Sequence, residues 1–228
     1  MNKIYWPPEG INWYYSDEWV AIAHADCRDI LPKLPKVDLV LTDPPYGIDI
    51  AKTGKVGGEN LASVKQYIAS DWDKSRPNVE ILDLIRSKSV NQIIFGGNYM
   101  ADLLPPSSCW LVWDKENSAN FADCELMWTS FNKAVKKYTW RWNGMLQEPQ
   151  NKEYRYHPTQ KPTGLLKAIL VDHPADLTLD TYMGSGSTLI ACKSLNRKCI
   201  GIEISEKYCE IAAKRCSQQV LDFRNSNE

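Results

Sequence analysis

The sequence predicts an α/β fold, Rossmann-like, with a mostly parallel twisted sheet. Three observations carry that expectation. Short apolar runs at 37–41, in "NQIIFGGNY" and in "CWLVWDK" each end in glycine or polar residues, as strands do when their carboxyl ends face a ligand in an open α/β sheet. Toward the end of the chain, "LTLDTYMGSGSTLIACKSL" reads as strand, glycine turn and helix, and "KCIGIEISEKYCEIAAKRC" as strand and helix. The length of 228 residues suits one sizeable core better than two ordinary domains, so a single domain spanning 1–228 is expected.

Element by element, "WVAIAHADCRDILPKLPKVDLVL" reads as a strand, a short helical turn broken by prolines, and a buried strand rich in branched residues. The stretch 49–63 holds Gly, Lys and Ala without a firm period and reads as a loop. A helix is expected over 79–88, and another in "GLLKAILVDH". Between about 115 and 156 the rhythm fails, which suggests a small inserted lobe, and the polar "RNSNE" reads as a frayed tail.

Composition narrows the function classes. Lys plus Arg number 27 against 28 Asp plus Glu, so the net charge of -1 offers no global attraction to nucleic acid or membrane, and a polyanion would have to meet a local patch. Seven cysteines, odd in number and without a CxxC pair, argue against a disulfide framework or zinc cluster and for reduced thiols. The start "MNKIYWPPEG" lacks the apolar core of a leader, and no long apolar run reaches the roughly 18 residues of a membrane span. A soluble, cytoplasmic protein without bound metal is expected.

The segment "LDTYMGSGSTL" places Gly184 and Gly186 between a strand and a helix, where glycine lets backbone approach a ligand closely. Glu203 closes the next strand, where an acid can accept from the two hydroxyls of a ribose. The position expected to hold a third glycine in a dinucleotide fingerprint is a leucine, which weakens a nicotinamide reading. Asp180, ahead of the turn, suits an ammonium group better than a pyrophosphate, and S-adenosylmethionine has an amine, a ribose and no phosphate.

"LTDPPYGIDI" presents another pattern. Two prolines after Asp43 fix φ twice and remove two backbone donors, leaving a corner of acceptors, the Asp43 carboxylate and the Pro44 carbonyl, beside the Tyr46 ring. Such a set fits an exocyclic amine on an aromatic ring: the hydrogens need acceptors and the ring needs a stacking face. Acceptors on the amine hydrogens return electron density to a poorly nucleophilic nitrogen and stabilise its developing charge as it attacks a sulfonium methyl. The plainer alternative is a rigid turn that caps a strand, with Tyr46 packing on the sheet.

Together, "DPPYG", "HPTQKP" at 157–162 and "LDTYMGSGST" at 179–188 resemble the DNA amino-methyltransferases of the permuted beta group, over about residues 23–215. The resemblance implies the S-adenosylmethionine-dependent methyltransferase fold with circularly permuted motif order and a small DNA-recognition lobe, within 115–156. It implies that Asp43, Pro44, Pro45 and Tyr46 hold a base flipped out of double-stranded DNA. It further implies that Asp180, Gly184 and Gly186 line the cofactor site, with Glu203 on the ribose, Asp26 near the adenine, Tyr182 packing on the cofactor, and Thr159 and Lys161 near the methionine end. The proline and phenylalanine usual after the first acid of the turn are Thr181 and Tyr182 here. An aspartate at the head of the tetrapeptide resembles the adenine N6 enzymes, whereas serine is more usual in those acting on cytosine N4.

For the DNA itself, residues 131–161 carry seven basic side chains against two acidic ones, interleaved with aromatic rings. Lys133, Lys136, Lys137 and Arg141 are the candidates for phosphates, and Trp140 and Trp142 for bases. A tryptophan-rich core seam is the alternative. The loop 51–65 is a candidate to close over the flipped nucleotide, and His157 is expected to be structural within its motif. Competing functions are RNA or protein-glutamine methylation, a DNA-binding module without chemistry, and a nicotinamide oxidoreductase. A homodimer and an accompanying restriction nuclease stay open.

Overall fold

The computed structural model describes residues 5–48, 75–116, 122–143, 146–147, 152–156 and 159–218. Its frame is a sheet in which β2 (Val20–His24), β3 (Val37–Thr42), β4 (Ser89–Phe95), β10 (Leu177–Asp180) and β11 (Lys198–Glu203) run parallel in the order β2-β11-β10-β3-β4. Parallel strands are covered by helices on both faces, which is why these sequences are almost unbroken apolar runs rather than alternating ones. Val20, Ile22, Val40, Leu41, Ile93 and Leu179 are fully buried.

The helices divide between the two faces. On one lie α3 (Thr163–Asp172), α4 (Ser187–Lys193) and α5 (Glu206–Ser217), whose Leu166, Ile169, Leu189 and Ala212 pack with Ile22, Leu39 and Leu41. On the other lie the short α1 (Cys27–Ile30) and α2 (Val79–Ser87), whose Ile30 and Ile85 meet Ala23, Val40 and Ile200. The Asn78 side chain caps α2 by accepting from the Ile81 amide at 3.1 Å. The expected helix over 79–88 is therefore present to within a residue.

The stretch where the rhythm fails holds more sheet than expected. β5 (Trp110–Asp114) is followed by β6 (Cys124–Thr129) and β7 (Lys136–Thr139), and the nine-stranded sheet continues β4-β6-β5-β7, with β6 antiparallel to β4 and β5. A two-residue β1 (Tyr15–Ser16) pairs antiparallel with β2 at the other edge. Within the 115–156 stretch, β6 and β7 thus belong to the main sheet. A separate two-stranded ribbon there pairs β8 (Trp142–Asn143) with β9 (Leu146–Gln147). The loop 51–65, His157 and the tail lie outside the described residues.

Since β2, β11, β10, β3 and β4 are parallel, their carboxyl ends share one edge. That edge gathers His24, Glu203, Asp180, Thr42 and Phe95.

Candidate active site

Asp43 follows β3 directly, and both of its oxygens are engaged. Oδ1 accepts from the Tyr46 hydroxyl at 2.6 Å and Oδ2 from the Lys161 ammonium at 2.5 Å. The prolines between Asp43 and Tyr46 shape a turn tight enough for that short loop back. The Tyr46 ring stacks on Tyr99, with centroids 4.9 Å apart and planes 15° from parallel. At its edge lies Gly96, whose left-handed φ of +64° leaves no room for a Cβ: one built there would sit 2.1 Å from Tyr46 Cε1. The Lys161 ammonium also lies 5.7 Å from the Tyr46 centroid and 5.1 Å from that of Phe95.

Burial leaves the Asp43 carboxyl raised above its ordinary range even against the pull of Lys161. Desolvation pulls the Lys161 ammonium down, but the carboxylates of Asp43 and Glu125 outweigh it and hold the ammonium above its usual value. Burial, with Asp43 beside it, pushes the Tyr46 phenol well up, so the hydroxyl stays a donor. The corner thus presents a carboxyl fixed by two donors, with aromatic surface alongside.

One strand over, Asp180 ends β10 with only 4% of its surface exposed. Its Oδ1 accepts from Thr42 Oγ1 at 2.9 Å and from the Tyr182 amide at 3.2 Å, and desolvation pushes the carboxyl up to about 6. The Thr42 bond ties the end of β3 to the glycine turn. In that turn Gly184 and Gly186 take φ of +51° and +81°, which a side chain adopts only with strain. A Cβ on Gly186 would come within 2.9 Å of Ala212 Cβ, so glycine there also lets α5 approach.

Glu203 closes β11 and accepts from the Gly184 amide and the Ser205 amide, both at 2.9 Å; desolvation raises its carboxyl above the ordinary range. Asp26 caps α1, accepting from the Arg28 amide at 2.9 Å, and pairs with the Arg28 guanidinium at 2.6 Å, whose hydrogen bonds hold its carboxyl low. Tyr182 lies beside it, with its hydroxyl 3.8 Å from Cys27 Sγ. Asp26, Tyr182, Gly184 and Glu203 therefore stand together along one edge.

Sequence reasoning missed the residues that join these parts. Gln160 is buried; its Oε1 accepts from the Tyr156 amide at 2.9 Å and from Ser185 Oγ at 3.2 Å, and its Nε2 donates to the Tyr154 carbonyl at 3.1 Å. Arg215 donates to the Ser185 carbonyl at 2.6 Å and lies over the Tyr156 ring. Lys161, expected toward the methionine end, sits on Asp43, while Thr159 lies half-buried two residues before it. Position within "HPTQKP" was the signal for Gln160; Tyr99, Lys115 and Glu125 carried none.

The basic candidates are less free than their charges suggested. Lys136 pairs with Asp172 at 2.5 Å, Lys137 with Asp114 at 3.0 Å, and Arg141 with Glu116 at 3.6 Å. Lys133 lies over the Phe131 ring at 5.2 Å. Trp140 is half-buried against Gly164. Trp142 is a correction: only 5% exposed, it belongs to the core, with Arg155 4.9 Å over its ring, and offers no face to a base. Among the described residues no group of three or more His, Cys, Asp or Glu is placed to hold a metal ion, and no helix is long and apolar enough to cross a membrane.

Comparison with known proteins matches residues 105–214 to the family described as DNA methylase, of N6 and N4 type. The type II methyltransferase M2.LlaDCHI of Lactococcus lactis subsp. cremoris is 26% identical over 251 residues, covering 90% of this chain and 92% of its own. Among solved structures, M1.HpyAVI in complex with SAM is similar with a TM-score of 0.54 and 26% identity, over 86% of this chain and 99% of that one. The cytosine-N4-specific PvuII DNA methyltransferase shares the fold, with a TM-score of 0.57 at 14% identity over 92% of each chain.

Proposed function

We infer from this likeness that the chain is an S-adenosylmethionine-dependent methyltransferase of DNA, and we propose that its acceptor is the exocyclic N6 amine of adenine. The observation that carries the proposal is the juxtaposition at the sheet edge. Asp43, just past the end of β3, stands one strand from the glycine turn, and Thr42 and Asp180 join the two at 2.9 Å. The motif order, catalytic corner before cofactor turn, supports the permuted beta group. Aspartate rather than serine at the head of "DPPY" supports adenine over cytosine.

The residues along the β10 and β11 ends fit the cofactor. Glu203 supplies a carboxylate for the ribose, Gly184 and Gly186 bare backbone, Tyr182 an aromatic face, Asp26 an acceptor near the adenine, and Asp180 a carboxylate for the amine. Thr159 is assigned to the methionine end. Bound there, S-adenosylmethionine supplies an electrophilic sulfonium methyl group.

The chain's own residues do the rest. Asp43 and the Pro44 carbonyl accept from the target amine, concentrating electron density on its nitrogen and stabilising the positive charge that develops there. The Tyr46 ring stacks on the flipped base. The proton leaves the methylated amine afterwards, through Asp43 or to solvent. Lys133, Lys136, Lys137 and Arg141 serve phosphates, within a recognition surface formed by the β7 edge and the β8–β9 ribbon. A cytoplasmic setting within a restriction–modification pair agrees with the type II relative.

The test is to incubate the protein and its Asp43→Ala variant with unmethylated duplex DNA and S-adenosylmethionine, then identify methylated nucleosides by mass spectrometry. N6-methyladenosine from the wild type alone is expected. N4-methylcytosine would keep the mechanism and overturn the base, and no methylation of DNA would sink the proposal.

A further inference from the structure

A row of charged groups runs from the corner toward β6. The Lys161 ammonium lies 2.5 Å from Asp43 Oδ2 and 3.5 Å from Glu125 Oε2, and Glu125 Oε1 is 2.6 Å from the Lys115 ammonium. The side chains are largely enclosed: Lys161 is 9% exposed, Lys115 17%, Asp43 22% and Glu125 23%. Glu125 is the second residue of β6 and pairs in register with Trp113 of β5, while Lys115 lies just past the end of β5 with its ammonium over the Trp113 ring at 4.9 Å.

Stability does not account for this row. Sequestering an ion pair costs desolvation that apolar packing of the same volume would avoid. Glu125 Oε2 is moreover a buried acceptor that receives no hydrogen bond, its one cation standing at the long 3.5 Å. Lys161 has a flexible stem worth about 2 kcal/mol of rotamer freedom, and one carboxylate alone leaves that stem several poses. A second carboxylate on the far side of the ammonium, itself held by Lys115, leaves one.

We propose that Glu125 is a positioning residue for methyl transfer: braced by Lys115, it holds the Lys161 ammonium against Asp43 Oδ2, so that Oδ1 faces the target amine. This rests on the function proposed above. Lys161 donates to Asp43 and stands in ionic contact with Glu125, and the Tyr46 hydroxyl is the other donor to Asp43. The groups that face Lys161 are Asp43 and Tyr46 from the corner, Glu125 from β6 and the Phe95 ring from β4, with Lys115 behind Glu125 and Tyr99 behind Tyr46. Removing the Glu125 charge takes away a carboxylate that raises the ammonium, so Lys161 must lose its proton at lower pH.

The experiment compares the wild type, Glu125→Gln and Glu125→Asp by steady-state methyl transfer to duplex DNA from about pH 6 to about pH 10, spanning the approach to the ordinary lysine value. Glu125→Gln is expected to lower kcat about ten-fold or more while KM for DNA and cofactor holds within about three-fold, and to bring an alkaline decline of rate into that range. Glu125→Asp keeps the charge, so it is expected to abolish that decline while kcat stays below wild type. A Glu125→Gln enzyme with wild-type kcat and no new decline overturns the proposal. If that variant fails to fold, wild-type kcat in Glu125→Asp does so. The Lys161 ammonium is also read by nitrogen-15 NMR without DNA: an unmoved titration in Glu125→Gln refutes the brace. A moved titration in a protein that methylates no DNA leaves the brace standing and sinks the function proposed above.

Discussion

Replacing Gly96 by alanine tests whether the seat of the Tyr46 ring governs the chemistry. Gly96 has φ +64° and ψ +25°, a conformation that costs an L-residue about 1–2 kcal/mol. The new Cβ would lie 2.1, 2.5 and 2.6 Å from three Tyr46 ring carbons, so the ring must retreat about 1.3 Å to reach ordinary contact. A retreat of that size stretches the 2.6 Å bond from Tyr46 to Asp43 Oδ1 beyond hydrogen-bonding range. Losing a bond to a charged group costs roughly 1.5–3 kcal/mol, and a misplacement of about 1 Å in a catalytic constellation costs about 100-fold in rate. Gly96→Ala should therefore lose roughly 2.5–5 kcal/mol in denaturant unfolding and about 100-fold in methyl transfer to DNA, with cofactor affinity by calorimetry unchanged. Gly10→Ala is the control, since Gly10 has φ +79° with nothing within 4 Å of the added Cβ: strain without collision, and a normal rate. A Gly96→Ala protein as active as the wild type would refute the reasoning.

Three further outcomes are expected. Asp180 has a folded-state value of about 6 against an ordinary 3.8, so the folded chain binds this proton more tightly than the unfolded one. The site therefore favours folding at low pH, and as pH rises from about 4 to about 6 that contribution is lost, to the extent of about 3 kcal/mol. Asp180→Asn should flatten the stability profile in that window, and an unchanged slope would remove the assignment. Glu203→Gln should weaken S-adenosylmethionine about 10- to 100-fold by calorimetry, the worth of one lost bond to a charged acceptor. Paired Lys133→Gln and Lys137→Gln substitutions should reduce the magnitude of the salt slope of DNA binding by about 2, measured by fluorescence anisotropy in a salt series.

The sequence exposed what depends on local pattern. β3 and β10 were legible because strands covered on both faces are apolar runs, and the corner because two prolines leave few other conformations. Glu203 was legible because it directly ends a strand. β6 and β7 were not: "CELMWT" is buried only in its second half and "KKYT" only at Tyr138, so neither offers a continuous run or a clean alternation. Trp142 was misread because a large ring among basic residues suits core and nucleic acid alike, and only its burial tells which. The partnership of Lys161 with Asp43 spans 118 positions, and no local period reports it.

The bond from Thr42 to Asp180 also bears on how the protein is made, for it joins positions 138 apart in the chain. β2 and β3 are both synthesised before the strands that pair with them in the middle of the sheet, β11 and β10. Until those emerge, the side of β3 that later meets β10 presents unpaired backbone and the apolar flank of Val40 and Leu41 to any other strand within reach. The corner proposed to carry the chemistry is thus made early and completed late. During that interval the unpaired side of β3 is open to wrong pairing, and its pairing with β10 ends that exposure.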